Sequence, residues 1–192
     1  WARISISDQQ QQFMRLISQT GLVICLALLS LVSRADSAGE LNAKALNALD
    51  FLSGQVEGVE VYLSNAAGVL VFPNIVKVGF GSGGQYGEGV LLVEQKPDAY
   101  YSRAGATFGL QLGTPFKSEV IVFVTEQALA EFRQRRGFEV GIDGSVALVT
   151  MEAVATLFTG QMNDPVVGFI FSNEGLMSNL SLEGAKITKL AR

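Results

Sequence analysis

The sequence predicts a β-rich α+β domain: a glycine-rich, curved, barrel-like and mainly antiparallel sheet, with an N-terminal helix and one or two further helices. Three observations lead there. From Gly68 onward the apolar residues fall mostly at period two, while helical spacing is confined to the stretch before it and to residues 125–137. Six glycines (Gly79, Gly81, Gly83, Gly84, Gly87 and Gly89) crowd a short segment framed by apolar runs, and glycine in a strand permits sharp coiling and close approach of another backbone. A chain of 192 residues with 48% hydrophobic and 17% charged residues can bury the core of one domain, which excludes general disorder.

Residues 14–37 read as a secretory signal peptide: Arg15 in a polar start, the apolar run Gly21 to Val32, then small residues at Ser33, Ala35, Ser37 and Ala38. That run, about a dozen residues, falls short of the roughly 20 that span a bilayer as a helix. Residues 1–13 precede Met14 and read as leader or expression-derived residues, leaving 38–192 as a single domain. Export to the periplasm or outer envelope is the expectation. Cys25 follows Ile24, where a lipoprotein cleavage site wants a small residue, so lipid anchoring through it is disfavoured. Cleavage near Ala35 leaves no cysteine, and the chain has no histidine, so disulfides, thiol nucleophiles and the commonest zinc ligands are not expected. Loss of Arg3, Arg15, Arg34 and Asp8 takes the formal net charge from −4 to −6, which argues against nucleic acid as a partner.

Within the domain, Leu41, Ala45, Ala48, Leu49 and Leu52 predict an amphipathic helix over Glu40 to Leu52, with Glu40 and Lys44 as an i,i+4 pair. Its polar face lacks the basic residues of an interfacial helix, which favours packing on the core over insertion into a membrane. Ala104, Ala106, Phe108, Leu110 and Leu112 alternate with Gly105, Thr107, Gly109, Gln111 and Gly113, and Phe138, Val140 and Ile142 alternate with Glu139, Gly141 and Asp143; both predict half-buried strands. Val120 to Val124 is continuously apolar, as in a strand covered on both faces. Thr125 as N-cap, Glu126, inward Leu129 and Phe132, and a stop at Gly137 predict a second helix whose last turn is Arg133-Gln134-Arg135-Arg136. A hairpin is expected between Val167 to Phe171 and Leu176 to Leu182, with Gly175 in the left-handed turn position.

Gly79-Phe80-Gly81-Ser82-Gly83-Gly84 matches the dinucleotide fingerprint G-x-G-x-x-G, which requires a helix N-terminus immediately after it. Here Tyr86, Glu88, Val90 and Leu92 continue a strand pattern instead, so no nucleotide is expected and the glycines are read as a bend in the sheet. A hydrolase would have to work without histidine. Ser82 and Ser102 lack a nucleophile-elbow setting, and Glu139 with Asp143 reads as a solvated pair on one strand face.

The segments "AAGVLVFPNIVKVGFGSGGQYGEGVLLV", "YYSRAGATFGLQLG", "EVIVFVTEQALAEF", "FEVGIDGSVAL" and "VVGFIFSNEGLMSNLSLEGAKI" occur in the order and spacing of the SYLF lipid-binding domain, and the chain resembles the bacterial secreted type over about Ala38 to Leu190. Two departures stand out: Tyr101-Ser102-Arg103-Ala104 lacks the family's proline, and "TMEAVATLFTGQMNDP" replaces its usual Gly-Pro stretch. The resemblance implies a non-catalytic module for anionic or phosphoinositide-like lipid at a membrane surface, without cofactor. The alternative is an envelope structural or protein-interaction module, since eukaryotic relatives bind actin; an uncharacterised hydrolase comes last. The basic group Arg133, Arg135 and Arg136 suits phosphate oxygens, or merely complements a helix dipole. Lys77 and Lys117 are more isolated candidates. Tyr101, with Tyr100, is a candidate for a lipid interface, though one of two adjacent strand aromatics must turn inward.

Overall fold

The computed structural model describes residues 37–109, 117–135, 137–150, 164–177, 182 and 184–192, without the side chains at 61, 78–82 and 107–109. These residues lie in a unit running from Ser37 to Arg192. The leader, the signal segment but for Ser37, Cys25, Arg136 and most of the replaced stretch after Val149 lie outside the described residues.

Helix α1 (Ala38–Gln55) starts at an N-cap: the Glu40 N–H donates to Ser37 Oγ at 3.2 Å, and Glu40 puts a negative charge in the first turn, where the helix dipole favours it. Glu40 and Lys44 pair at 3.0 Å. Leu41, Ala45, Ala48 and Leu52 form the buried stripe. The expected helix is therefore present and packs on the core. A short helix α2 (Val59–Ser64) comes next.

The rest is sheet. β1 (Gly68–Val93), β2 (Lys96–Gly109), β3 (Lys117–Phe123), β4 (Gly137–Glu139), β5 (Ala147–Leu148), β6 (Val166–Ser172), β7 (Gly175–Leu176) and β8 (Lys186–Lys189) form one curved, half-barrel sheet ordered β4-β8-β2-β1-β3-β6-β5, with β7 on β6. All pairings are antiparallel except β5 with β6. Helix α3 (Glu126–Gln134) sits between β3 and β4, and Thr125 Oγ1 accepts from the Ala128 N–H at 3.2 Å as the cap the sequence predicts.

β1 explains the glycines. Its early residues pair with β3 (Gly68↔Phe123 to Ile75↔Lys117) and its later ones with β2 (Gly81↔Gly109 to Val93↔Lys96). Its two ends also lie against each other: a Cβ on Gly89 would stand 2.5 Å from both the Val71 carbonyl oxygen and Phe72 Cδ1, and one on Gly87 would stand 2.8 Å from the Asn74 oxygen and Ile75 Cγ1. Only hydrogen fits there. Beyond the glycines the chain runs on as strand to Val93 and reverses at Glu94 and Gln95, both at positive φ (50° and 62°). Gly84 thus leads into strand, where a dinucleotide fingerprint demands a helix.

Two cores form, one on each face. Val69, Val71, Val90, Leu92, Val120, Val122 and Phe169 pack with the stripe of α1, and Leu70, Phe72, Leu91, Ile121, Phe123 and Ile170 pack with Leu129 and Phe132 of α3. Phe132 anchors the second core, with ring centroids 4.8 Å from Phe123, 5.0 Å from Tyr101 and 5.5 Å from Phe138. The continuous apolar run of β3 is covered from both sides, as expected.

Three expectations are corrected. On β2 the inward residues are Ala99, Tyr101 and Arg103, while Ala104 and Ala106 are exposed; the alternation runs in the phase inverse to the expected one, and residues 110–116 lie outside the described ones. The Phe138 to Ile142 strand stops at Glu139 because Gly141 takes φ 92° in a tight turn, leaving Ile142 76% exposed. α3 ends at Gln134, before Arg135, which is already extended (ψ 134°). The expected hairpin exists with Gly175 at φ 115°, although β7 spans only Gly175–Leu176.

Candidate functional site

At the end of the α3 face the core turns ionic. Glu119 and Lys117, two apart on β3 and so on one face, stand in register with Phe72 and Ile75. Arg103 of β2 faces the same side, in register with Gly87 of β1 and Ile187 of β8. Because Gly87 and Gly89 carry no side chain, the arginine can lie across β1 toward β3. Its Nε reaches Glu119 Oε2 at 2.9 Å, Lys117 Nζ donates to Glu119 Oε1 at 2.7 Å, and Arg103 Nη1 donates to Gln85 Oε1 at 3.0 Å.

All three charged residues are buried: Arg103 and Lys117 are 2% exposed and Glu119 is fully enclosed. The Arg103 Nε to Glu119 Oε2 contact is close but not aligned as a hydrogen bond, and neither atom has such a partner among the described residues. Burial pulls the Lys117 amine below its ordinary value, with Arg103 and Lys77 pushing the same way and Glu119 opposing.

The residues that the sequence singles out are scattered. Lys117, an isolated candidate for lipid binding in the sequence, is buried on Glu119. Tyr101 faces the α3 core rather than an interface, and its burial pushes the phenol up; Tyr100 is the half-buried one, its hydroxyl donating to Asn42 Oδ1 at 3.2 Å and its ring facing the Arg192 guanidinium. Arg133 pairs with Asp98 at 2.5 Å and Arg135 with Asp143 at 2.6 Å, so these two cations face separate carboxylates; Arg136 lies outside the described residues. Lys77 is half-buried near Lys117. Glu139 and Asp143 are not a strand-face pair: Asp143 Oδ2 accepts the Glu139 N–H at 2.8 Å and closes the turn. Spacing alone does not single out Arg103, Gln85 or Glu119. The signal present in the sequence is Lys117-Ser118-Glu119, a charged i,i+2 pair running straight into a buried apolar strand.

The opposite face carries a second feature. α1 covers Val69, Val71, Val90 and Leu92, but farther along, Val76 (42% exposed), Tyr86 (49% exposed), Gly84, Ala104 and Ala106 remain open to solvent. Tyr86 is in register with Ala104, and Ala104 with exposed Lys186. Among the described residues no helix is long and apolar enough to cross a membrane, and no group of three or more His, Cys, Asp or Glu could hold a metal.

The fold defines the class: a β-rich domain built on one curved sheet. Residues 104–191, from within β2 to beyond β8, match the Ysc84 family, described as Las17-binding protein actin regulator, in line with the SYLF resemblance of the sequence. Comparison with curated proteins gives no match.

Proposed function

We propose that this protein is a non-catalytic module that binds anionic lipid, phosphoinositide-like or simpler, at the bacterial cell envelope. The observation that carries this reading is the uncovered sheet face: Val76, Tyr86, Ala104 and Ala106 offer a shallow apolar surface with a tyrosine at its centre and Lys186 at its edge. Aromatic residues with an apolar body and polar tip favour the headgroup level of a bilayer, and each nearby cation adds on the order of 1 kcal/mol at an anionic surface. The match of residues 104–191 to the Ysc84 family, a family of binding domains, supports it further.

Flotation of the purified protein with vesicles of graded anionic content tests the reading. The protein is expected to float with anionic vesicles and to lose most of that association in a Tyr86→Ser, Val76→Ser variant. Arg133→Gln with Arg135→Gln should change it little, because both arginines already face carboxylates. No flotation at any composition would overturn the proposal. Co-sedimentation with actin filaments in that case would favour the protein-interaction reading, which draws on the description of the matched family.

A further inference from the structure

We propose that Arg103 and Lys117 form a subsite for a phosphate-type anion, whose charge completes a balance that Glu119 leaves one short. Among the described residues two buried cations share one carboxylate in a region almost closed to water, and uncompensated buried charge is costly. Apolar residues of similar volume would serve packing as well or better, so the ions are not explained by stability.

The geometry is that of a fork held ready. Glu119 spends one oxygen on Lys117 and meets Arg103 without hydrogen-bond alignment. Nη1 of the Arg103 guanidinium donates to Gln85, a neutral amide that orients the group without cancelling its charge. A guanidinium presents five donors in a plane that matches phosphate oxygens two at a time. A lysine ammonium beside it supplies the point charge that a phosphate monoester also seeks.

Access lies at the Gly105 edge. A Cβ on Gly105 would come 3.3 Å from Arg103 Nη1 and 3.7 Å from the Gly184 oxygen, so both atoms border the same spot beside Gly105. Gly184 is exposed and Gln85 only half-buried. Displacement of the Gln85 amide opens Nη1 to an anion arriving from this side. The phosphate can belong to a lipid headgroup or to a soluble ester; the link to lipid rests on the function proposed above, whereas the subsite does not.

The test is thermal unfolding of the full chain in inorganic phosphate against chloride at equal ionic strength. At about ten times Kd the wild type is expected to melt roughly 3–6 °C higher in phosphate. Lys117→Met leaves Arg103 and Glu119 in balance and should abolish the shift, while Lys189→Met, at an exposed position on β8, should keep it. Arg103→Lys retains the charge but removes the fork, and calorimetry is expected to show phosphate affinity weakened at least tenfold. Absence of a wild-type shift, a shift retained in Lys117→Met, or unchanged affinity in Arg103→Lys each overturns the subsite. Flotation with phosphatidate vesicles then separates the sources. Equal flotation of wild type and Lys117→Met, beside a phosphate shift that needs Lys117, would leave lipid binding standing and assign the subsite to a soluble phosphate ester. A Lys117-dependent phosphate shift without flotation would sink lipid binding and leave a site for a soluble phosphate ester.

Discussion

The two faces of the sheet bury their residues by different means. Beneath α1 the packing is aliphatic and aromatic throughout, with two alanines, Ala45 and Ala48, letting the helix settle close to Val71, Val90 and Val120. Beneath α3 the same kind of packing begins around Phe132 and then gives way, along β3 itself, to Glu119 and Lys117. One strand therefore holds a segment stabilised by transfer from water, at about 25 cal/mol per Å² of apolar surface, and a segment in which desolvation opposes Coulomb attraction. The difference teaches that the fold is held by the apolar parts of both faces, and that the ionic end is an expense on stability.

The largest expected effect comes from breaking the ionic end on its acidic side. Glu119→Gln strands two cations in a closed environment and should cost about 3–5 kcal/mol in urea unfolding. A loss below about 1 kcal/mol would mean that water reaches the cluster and that the contrast between the faces is overstated.

Next in size is the glycine floor over which Arg103 lies. Gly89→Val places atoms where Val71 and Phe72 already stand, and overpacking of this kind should cost roughly 1–3 kcal/mol in the same unfolding measurement. Gly84→Val is the sharpening control, because a Cβ there would meet only the Gly105 oxygen at 3.8 Å. Similar losses at both positions would show that glycine acts through strand conformation in general and not through close approach.

The smallest effect is carried by pH. Burial holds folded Lys117 below its ordinary 10.5, so between the folded value and 10.5 the unfolded chain binds more protons than the folded one. Stability then rises with pH through that window. Lys117→Met, free of this penalty, should be more stable than wild type near neutrality, with an advantage that shrinks as pH climbs toward 10.5. An advantage that stays constant or widens would contradict the burial of the amine.

Much of the fold is legible in residue spacing. The stripe Leu41, Ala45, Ala48, Leu52 determined a helix, Thr125 its successor's start, Val120 to Phe123 a strand buried on both sides, and Gly175 a turn, because each rests on local sterics or on a periodicity within a single element. The family resemblance is also legible, since ordered motifs survive in the sequence itself. Tertiary structure alone decided the rest. Which phase of β2 turned inward depended on its partners: Tyr101 found Phe132, and Arg103 found Glu119 across two glycines, contacts between residues far apart in sequence. Local pattern favours Ala104 and Ala106 as core, and only the assembled sheet shows them facing solvent. Charge at Lys117 looks like surface charge for the same reason. Whether a lysine is solvated or enclosed depends on what neighbouring strands bring to it, and that information lies in the packing of the whole sheet.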